Sequence, residues 1–550
     1  VERSLFKDKD GGGAGADGAI VKHRFLSFLI WQFLFSSFLF FLTKTLLLSA
    51  FSGNLFSPAS LFSFFSFHSS LLLFSISLFF VSSPNPLPFA TPLEILLSLG
   101  RLIFVSGSDQ TLLRKKVRVS LGFLLFLSLT AVSGATVVLS LCWACGCFRN
   151  ADSRVLVLLG LRGYTVGLLY GLHYLYKQRW VLRFPIIQRP PFFAFKMELP
   201  VSAARAFKFS ANGCILSAAL YFALPIDLRE QEGSLIKFVT EQQMVFFIGS
   251  FVVILCWELG HCLHQVLHTK RFVFAPSKGS AAAETNPSDP ILAVLEGSTP
   301  RSLLQYLAYL DLSMVCENNV DTWRRAAFFE ETGETYRRVV NVCLRPLEQL
   351  TRKLAEVLDN IPAAEKPIPL SYQLSSHIDR LADSKLDEPF FDSQICVWCA
   401  RIAVSLTSRS RKEDRFGVAQ ISGSNRSVVS TLLSCLLAVE TLMGKKTNLQ
   451  SSQLGPAGIK WATINSGRSE STAAAMGKIR GSPLYAKAYA LADVLRTSIY
   501  SVVYTFHGEM MSASNNGVLD KDWIVTSKPV YGSRELLVYK LKLFLESQVS

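Results

Sequence analysis

Six long apolar stretches in the first half of the chain limit its fold more than any other feature. They lie at 25–48, 61–83, 119–143, 154–175, 208–226 and 244–264. Each is close to the ~20 residues that a helix needs to cross a bilayer core of about 30 Å. Because hydrocarbon offers no hydrogen-bond partners to the backbone, such segments are helical. We therefore predict a six-helix transmembrane domain at 21–271.

A weaker apolar stretch at 87–105 contains Pro92, Glu94 and Arg101. We interpret it as an interfacial or re-entrant segment, with a seventh span as the alternative. Six spans preserve an alternation in which basic loops follow loops that are poor in Lys and Arg, and a seventh would break it. The alternation predicts that the N- and C-termini lie on the same, cytosolic side.

The net charge of +15 would suggest nucleic acid binding in a soluble protein. Here many basic residues flank the spans, where anionic phospholipid and the positive-inside rule account for them. The predicted lipid-facing cations are Arg114, Lys115, Lys116, Arg118, Arg179, Arg183, Lys270 and Arg271. The phospholipid bilayer is thus the expected partner, and direct contact with nucleic acid is not expected.

The second half of the chain reads as an ordinary packed domain. Apolar residues recur at helical spacing among Arg, Glu and Asp, which predicts a soluble, mainly α-helical domain at 300–550 and an all-α protein as a whole. The Gly-rich start, 1–20, is predicted to be a disordered tail, 272–299 a linker, and 445–483 a flexible low-complexity insert. Pro346, inside a long helical pattern, is expected to kink or divide it.

Four residues near the end of the sixth stretch have metal-ligand chemistry. Glu258, His261, His264 and His268 are spaced three or four apart, as in helical zinc or iron sites. No other span supplies a matching cluster, so a headgroup-level helix end is the favoured interpretation and a membrane metalloenzyme the alternative. A transporter is a further alternative, but charges in the span interiors are scarce.

Cysteines and nucleotide-binding motifs give no positive signal for catalysis. The 11 cysteines lack framework spacing, and Cys396-x-x-Cys399 lies on an apolar helix, which favours burial over ligation. Phosphate-loop, dinucleotide-binding and serine-nucleophile motifs do not occur. We therefore expect no enzyme activity and no cofactor.

Three stretches of the second half resemble one family. The first is Leu304-Gln305-Tyr306-Leu307-Ala308-Tyr309-Leu310-Asp311-Leu312, with Arg324, Arg325 and Phe329 after it and Cys343-Leu344 further on. The second is Glu413-Asp414-Arg415-Phe416-Gly417-Val418-Ala419-Gln420. The third is the stretch that contains Arg496, Tyr500, Phe506 and Glu509. In this order behind six spans, they resemble the Ndc1 family of pore-membrane nucleoporins, and its plant-type members in particular.

The resemblance implies a structural role and brings no catalytic residues. It implies an integral protein of the nuclear envelope that anchors the nuclear pore complex in the pore membrane, assists pore assembly, and has both termini on the pore side. It implies that the C-terminal domain binds other nucleoporins, including scaffold subunits and the aladin-type propeller. Tyr306–Leu312 and Glu413–Gln420 are then candidate packing or partner surfaces. Self-association into a homo-oligomer stays open.

Overall fold

The computed structural model describes residues 13–48, 58–86, 111–144, 153–185, 188–223, 243–276, 279–319, 321–360, 388–451 and 483–547. The regular elements among these residues are helices, and their only β-bridge is an isolated one between Ser83 and Val181. The predicted all-α class is confirmed. The chain divides into two compact units, unit 1 at Val1–Arg271 and unit 2 at Phe272–Ser550.

Unit 1 contains long apolar helices at the predicted spans. They are α1 (Gly13–Leu48), α2 (Pro58–Val81), α3 (Thr111–Ala144), α4 (Ser153–Tyr176), α5 (Pro191–Ala223) and α6 (Gln243–Thr269). Except for the fifth, the predicted spans lie within these helices, apart from two residues at the end of the second span, and the helices extend up to 12 residues beyond them. Helices α1, α2, α3, α4 and α6 each contain a segment long and apolar enough to cross a membrane.

The fifth predicted span, 208–226, differs from the structure. Helix α5 begins 17 residues earlier, at Pro191, and it is not among the helices with a span-like segment. Residues 224–226, at the end of this predicted span, lie outside the described residues. The predicted interfacial stretch 87–105 also lies outside them. The predicted disordered tail also differs, because α1 is already helical from Gly13.

The outer surface of unit 1 is apolar. Phe62 and Phe80 are 70% and 79% exposed, and large Leu and Phe side chains point outward along α1 to α4. Water would penalise such a surface, whereas hydrocarbon accepts it. Helix α6 lies at the centre, with Trp257 fully buried against the rings of Phe74 and Tyr170. This is the packing of a multi-pass helical membrane protein.

Helices α3 and α4 pack so closely that their backbones are in contact. A Cβ atom added to Gly134 would lie 2.5 Å from the carbonyl oxygen of Gly163, and one added to Gly163 would lie 2.8 Å from that of Gly134. Gly167 approaches Thr130 in the same way. Small residues four apart allow two membrane helices to gain dispersion energy from close packing, since the hydrophobic effect does not drive their association in lipid.

Contacts between helix ends show which of these ends lie together at one end of unit 1. Arg24, near the start of α1, donates to the carbonyl oxygens of Leu267 and His268 at the end of α6, at 3.2 and 2.9 Å. Ser82, after α2, contacts His264 of α6 at 2.9 Å. The start of α1 and the ends of α2, α4 and α6 therefore share one end of unit 1, which we call the cationic end. The arginine also complements the negative pole of the α6 dipole.

Unit 2 is built on four long helices. They are α11 (Glu334–Asn360), α12 (Ser393–Glu413), α14 (Ser424–Ser451) and α15 (Pro483–Thr505), which pack against one another around Leu347, Ile402, Leu436 and Leu495. Shorter helices surround them: α7 (Ala281–Thr285), α8 (Asp289–Gly297), α9 (Leu303–Glu317), α10 (Thr322–Ala326), α13 (Val418–Ile421), α16 (His507–Asn515), α17 (Leu519–Trp523) and α18 (Arg534–Glu546). The sequence predicts a kink or a division at Pro346. Helix α11 continues through this proline, so it does not divide the helix.

The segment predicted as a linker, 272–299, is folded into unit 2 instead. Phe272 and Phe274 are buried, and α8 buries Ile291 and Leu292. Glu296 pairs with Arg338 of α11 at 2.8 Å. The Ser, Ala and Pro content suggested a tether, but four apolar residues of α8 are enough to dock it. The predicted insert 445–483 also begins as helix, because α14 extends to Ser451, and 452–482 lie outside the described residues.

One span-like segment lies in unit 2. Ser424–Gly444 of α14 is apolar and long enough to cross a membrane, but 72% of it is buried inside the structure. Helices α11 and α15 cover it, and Leu432, Leu433 and Leu436 are fully buried. The span-like segment of α6 is buried to the same 72%, so α14 is the central helix of unit 2 as α6 is of unit 1.

Candidate functional sites

The carboxylate of Glu258 lies inside unit 1 and is neutralised by two arginines. Arg179 donates from both terminal nitrogens, at 2.5 and 2.8 Å, and Arg205 donates at 3.1 Å. Glu258 is fully buried, whereas Arg179 is nearly so and Arg205 is partly exposed. A buried carboxylate needs such partners because an unpaired one would be strongly destabilising. These contacts join α5, α6 and the segment after α4.

The three histidines that sequence groups with Glu258 point to different partners. His261 contacts the hydroxyl of Tyr174 at 3.1 Å, His264 contacts Ser82, and His268 contacts the carbonyl oxygen of His264 at 2.9 Å. Among the described residues, no group of three or more His, Cys, Asp or Glu is arranged to hold a metal. The geometry is that of helix packing at the cationic end.

The predicted lipid-facing cations differ in their surroundings. Arg118, Arg183 and Lys270 are exposed, Lys116 and Arg271 are half-buried, and Arg114 and Lys115 lie on the first turns of α3 without described side chains. Arg179 departs from the prediction. Its guanidinium faces inward to Glu258, because the buried carboxylate has no water to stabilise its charge and needs a cation.

In unit 2, the first family-like stretch builds a buried ion pair. Asp311 accepts from Arg324 at 2.8 Å and from the backbone nitrogen of Phe274 at 3.0 Å. Arg324 also donates to the carbonyl oxygen of Phe274, at 3.0 Å. Both charged side chains are almost completely buried. The pair fixes the start of unit 2 against α9 and α10.

The neighbouring Arg325 connects the first stretch to the second. It binds Glu413 with two parallel hydrogen bonds of 2.8 Å and donates to the carbonyl oxygen of Asn318, also at 2.8 Å. Arg325 is buried and Glu413 is half-buried. Planar two-point pairing is the strong form of this contact. It joins residues 88 apart in the chain.

The second stretch then turns sharply. Asp414 accepts from the backbone nitrogens of Phe416 and Ala419, at 3.2 and 2.9 Å, and caps the short helix α13. Gly417 has φ +68°, a conformation that favours glycine. The turn buries Val418 while leaving Phe416 and Gln420 exposed.

The third stretch meets the second at the same place. Arg411, near the end of α12, donates to the carbonyl oxygen of Thr505 at the end of α15. The ends of α12 and α15, with α13, therefore share one end of unit 2, which we call the motif end. Ile421 and Tyr504 are 83% and 72% exposed there.

The remaining family-like residues divide into core and surface. The core residues are Tyr306, Leu307, Leu312, Phe329 and Phe506, and the exposed ones are Arg496, Tyr500 and Glu509. Arg496 binds Glu440 of α14 at 3.0 Å. Tyr306–Leu312 is thus a packing surface, whereas Glu413–Gln420 combines packing with an exposed edge.

The cysteines of unit 2 are buried and unpaired by disulfides in the described residues. Burial raises the pKa of the Cys316, Cys396 and Cys399 thiols well above the ordinary value, because the thiolate loses its hydration. Protonated, buried thiols are poor nucleophiles and poor metal ligands.

Sequence reasoning missed two features of these sites. The inward role of Arg179 could have been inferred from Glu258, since a carboxylate among apolar residues requires a cation. The α3–α4 contact had a signal in Gly163-x-x-x-Gly167-x-x-x-Gly171, whose spacing of four marks membrane helix pairs.

The fold and these sites define a class: a multi-pass helical membrane protein whose chain continues into a second all-helical unit. No known protein family matches the sequence. No curated protein matches it significantly.

Proposed function

We propose that this chain is a structural membrane protein of the nuclear pore, with the role that its resemblance to the Ndc1 family implies. Unit 1 holds the chain in the pore membrane, and unit 2 binds other nucleoporins of the scaffold and aladin-type classes. Both termini lie on the pore side. The protein anchors the pore complex and assists its assembly, without catalysis.

One observation carries this proposal beyond the resemblance itself. Residues from the three family-like stretches meet at the motif end of unit 2. Arg325, which follows the first stretch, joins Glu413 of the second, and Arg411 joins Thr505, next to Phe506 of the third, across 88 and 94 residues. Residues that are distant in the chain and meet in the fold can form one surface, as partner binding requires.

The motif end has the composition of a binding surface. Phe416, Ile421 and Tyr504 are exposed apolar or aromatic side chains, with ion pairs fixing the backbone beneath them. Such side chains on a rigid support supply much of the energy in protein interfaces. We assign partner binding in unit 2 to this end.

Localisation provides the first test. A fluorescently tagged full-length chain is expected to give a punctate nuclear rim that coincides with pore-complex markers. A purely reticular or plasma-membrane signal would contradict the proposal.

The partner surface is tested with a matched pair of tyrosines. Tyr504→Ser removes an aromatic ring at the motif end, whereas Tyr539→Ser removes one that is 59% exposed on α18. Tyr539 lies far from the motif end. Its neighbour Lys540 pairs with Glu440, which is about 24 Å along α14 from Ser424 at 1.5 Å per residue.

We expect Tyr504→Ser to weaken binding of a scaffold nucleoporin roughly 30-fold, as for an interface hot spot. Tyr539→Ser should leave binding unchanged. Affinity purification of tagged full-length chains, with quantification of co-purified nucleoporins, measures the difference. Equal recovery by both variants would remove the motif end from the proposal. Stoichiometric zinc or iron in the same preparations would instead support the metalloenzyme alternative.

A further inference from the structure

A cavity of about 820 Å³ opens at the cationic end of unit 1. Its walls come from the segment after α4, the first half of α5 and the last turns of α6. The floor includes Arg179, Arg205 and His261, close to the buried Glu258. This size is within the range of small-ligand pockets.

The charge of the cavity is strongly positive. The lining contains the cations Lys177, Arg179, Arg183, Arg189, Arg205 and Lys270, and a single carboxylate, that of Glu198. Arg179 and Arg205 are neutralised in part by Glu258 behind the wall. Across the described part of the chain, Lys177, Arg183 and Arg189 form no ion pair with a carboxylate. An excess of positive charge therefore faces the cavity.

The wall formed by α5 has a second, apolar side. Glu198, Ser202 and Arg205 line the cavity, whereas Phe192 and Phe193 are 70% and 56% exposed. A helix with a polar site beside exposed phenylalanines is typical of elements that lie in the membrane interface. The cavity lies beside the last turns of the span-like segments of α4 and α6, which end at Tyr176 and Thr269.

We propose that this cavity binds the headgroup of an anionic phospholipid that carries phosphate monoesters. The phosphates contact Lys177, Arg183 and Arg189, and the acyl chains leave over Phe192 and Phe193. Several unneutralised cations around one cavity favour a headgroup with multiple negative charges over one with a single charge. This is a defined site, distinct from the general attraction of basic loops to a bilayer, and it does not depend on the pore role.

The test measures binding to the purified full-length protein in detergent and in nanodiscs. The probe is a fluorescent phosphatidylinositol bisphosphate, compared with phosphatidylserine and with soluble inositol trisphosphate. We expect the phosphoinositide to bind best. Soluble inositol trisphosphate should compete weakly, because it lacks the acyl chains.

Two double variants remove the same charge from the same end of the bundle. Lys177→Gln with Arg183→Gln changes the cavity, whereas Lys116→Gln with Arg118→Gln changes cations outside it. Phe123, one turn beyond Arg118, contacts the ring of Trp180 at 5.2 Å, which places the control pair at the cationic end. Neither double variant alters the Glu258 contacts.

We expect the cavity variant to raise the Kd for the phosphoinositide about 30-fold, and the control variant to leave it within about twofold. If the cavity variant does not elute as a monodisperse protein, Arg183→Gln alone is expected to raise the Kd about fivefold. Equal losses in both variants would overturn the site. Equal binding of phosphatidylserine would overturn the preference for phosphate monoesters, and full competition by the soluble headgroup would overturn the lipid as ligand.

Discussion

Replacing Asp311 by Asn is expected to destabilise unit 2 strongly. The substitution keeps the shape of the side chain but removes its charge. Arg324 would keep a buried positive charge, and the new amide nitrogen would face its guanidinium donors. Removing one partner of a buried ion pair costs about 3–5 kcal/mol. Asp321, which is 3.9 Å from Arg324 and more exposed, would compensate the remaining charge only in part.

The two hydrogen bonds to Phe274 determine what the double variant should do. Asp311→Asn with Arg324→Met removes both charges, so the penalty of the unpaired charge disappears. The carbonyl oxygen of Phe274 then loses its donor, which costs about 1–3 kcal/mol for a buried polar group. We therefore expect the double variant to be more stable than Asp311→Asn and less stable than the original chain.

Hydrogen exchange followed by mass spectrometry provides the assay, on the full chain in detergent. Peptides covering 303–329 should lose protection by a factor of at least about 100 in Asp311→Asn, since each 1.4 kcal/mol is tenfold. The control is Asp493→Asn, which breaks an exposed pair with Arg496 and should change protection little. If Asp311→Asn behaved like this control, the assignment of a buried, stabilising pair would be wrong.

Three further predictions concern packing, thiol chemistry and pH. Gly167→Leu should disrupt the α3–α4 contact and lower the thermal stability of the purified protein, whereas Gly122→Leu, where an added Cβ meets nothing within 4 Å, should not; equal melting temperatures would contradict the close approach. Cys399 should resist maleimide in the native protein and react after denaturation, as measured by peptide mass mapping; rapid native labelling would refute its burial. Burial alone would raise the pKa of Glu330, but hydrogen bonds from Thr335 and Thr332 outweigh it and lower the pKa below 4.5. Its stabilising effect is therefore present well above pH 4.5 and is lost as the pH falls through the lowered pKa, so the stability deficit of Glu330→Gln at neutral pH should shrink in acid titrations below pH 4.5, and a deficit that stays constant on acidification would contradict the assignment.

Local patterns predicted the helices of both units because they depend on neighbouring residues. Apolar length predicts five of the spans, and helical periodicity predicts the mainly α-helical second half, including the long pattern around Pro346 that forms α11. The same reasoning fails for α8, because a short apolar piece within a polar segment predicts a linker, whereas the structure has a docked helix. Docking of such a piece depends on a surface that is remote in the sequence, here Arg338 and its neighbours on α11.

The candidate sites were less predictable than the helices. Glu258 and the three histidines share a helix, so their spacing suggests a common ligand, but Glu258, His261 and His264 contact different neighbouring elements and His268 bonds to its own helix. Arg325 and Glu413 were singled out as family-like residues, yet nothing local joins them. Pairing over such separations is fixed by the packed helices, and a single sequence contains no direct record of it.

The contact between Arg24 and the last turn of α6 can form only late in the synthesis of unit 1. The two partners are 243 and 244 residues apart, so at ribosomal speed the arginine emerges roughly 12–50 s before the carbonyls that will receive it. Until then its guanidinium must extend to the water layer above the nascent helix. A chain that stops before α6 lacks both carbonyls, so this contact forms only after the last helix of unit 1 has been made.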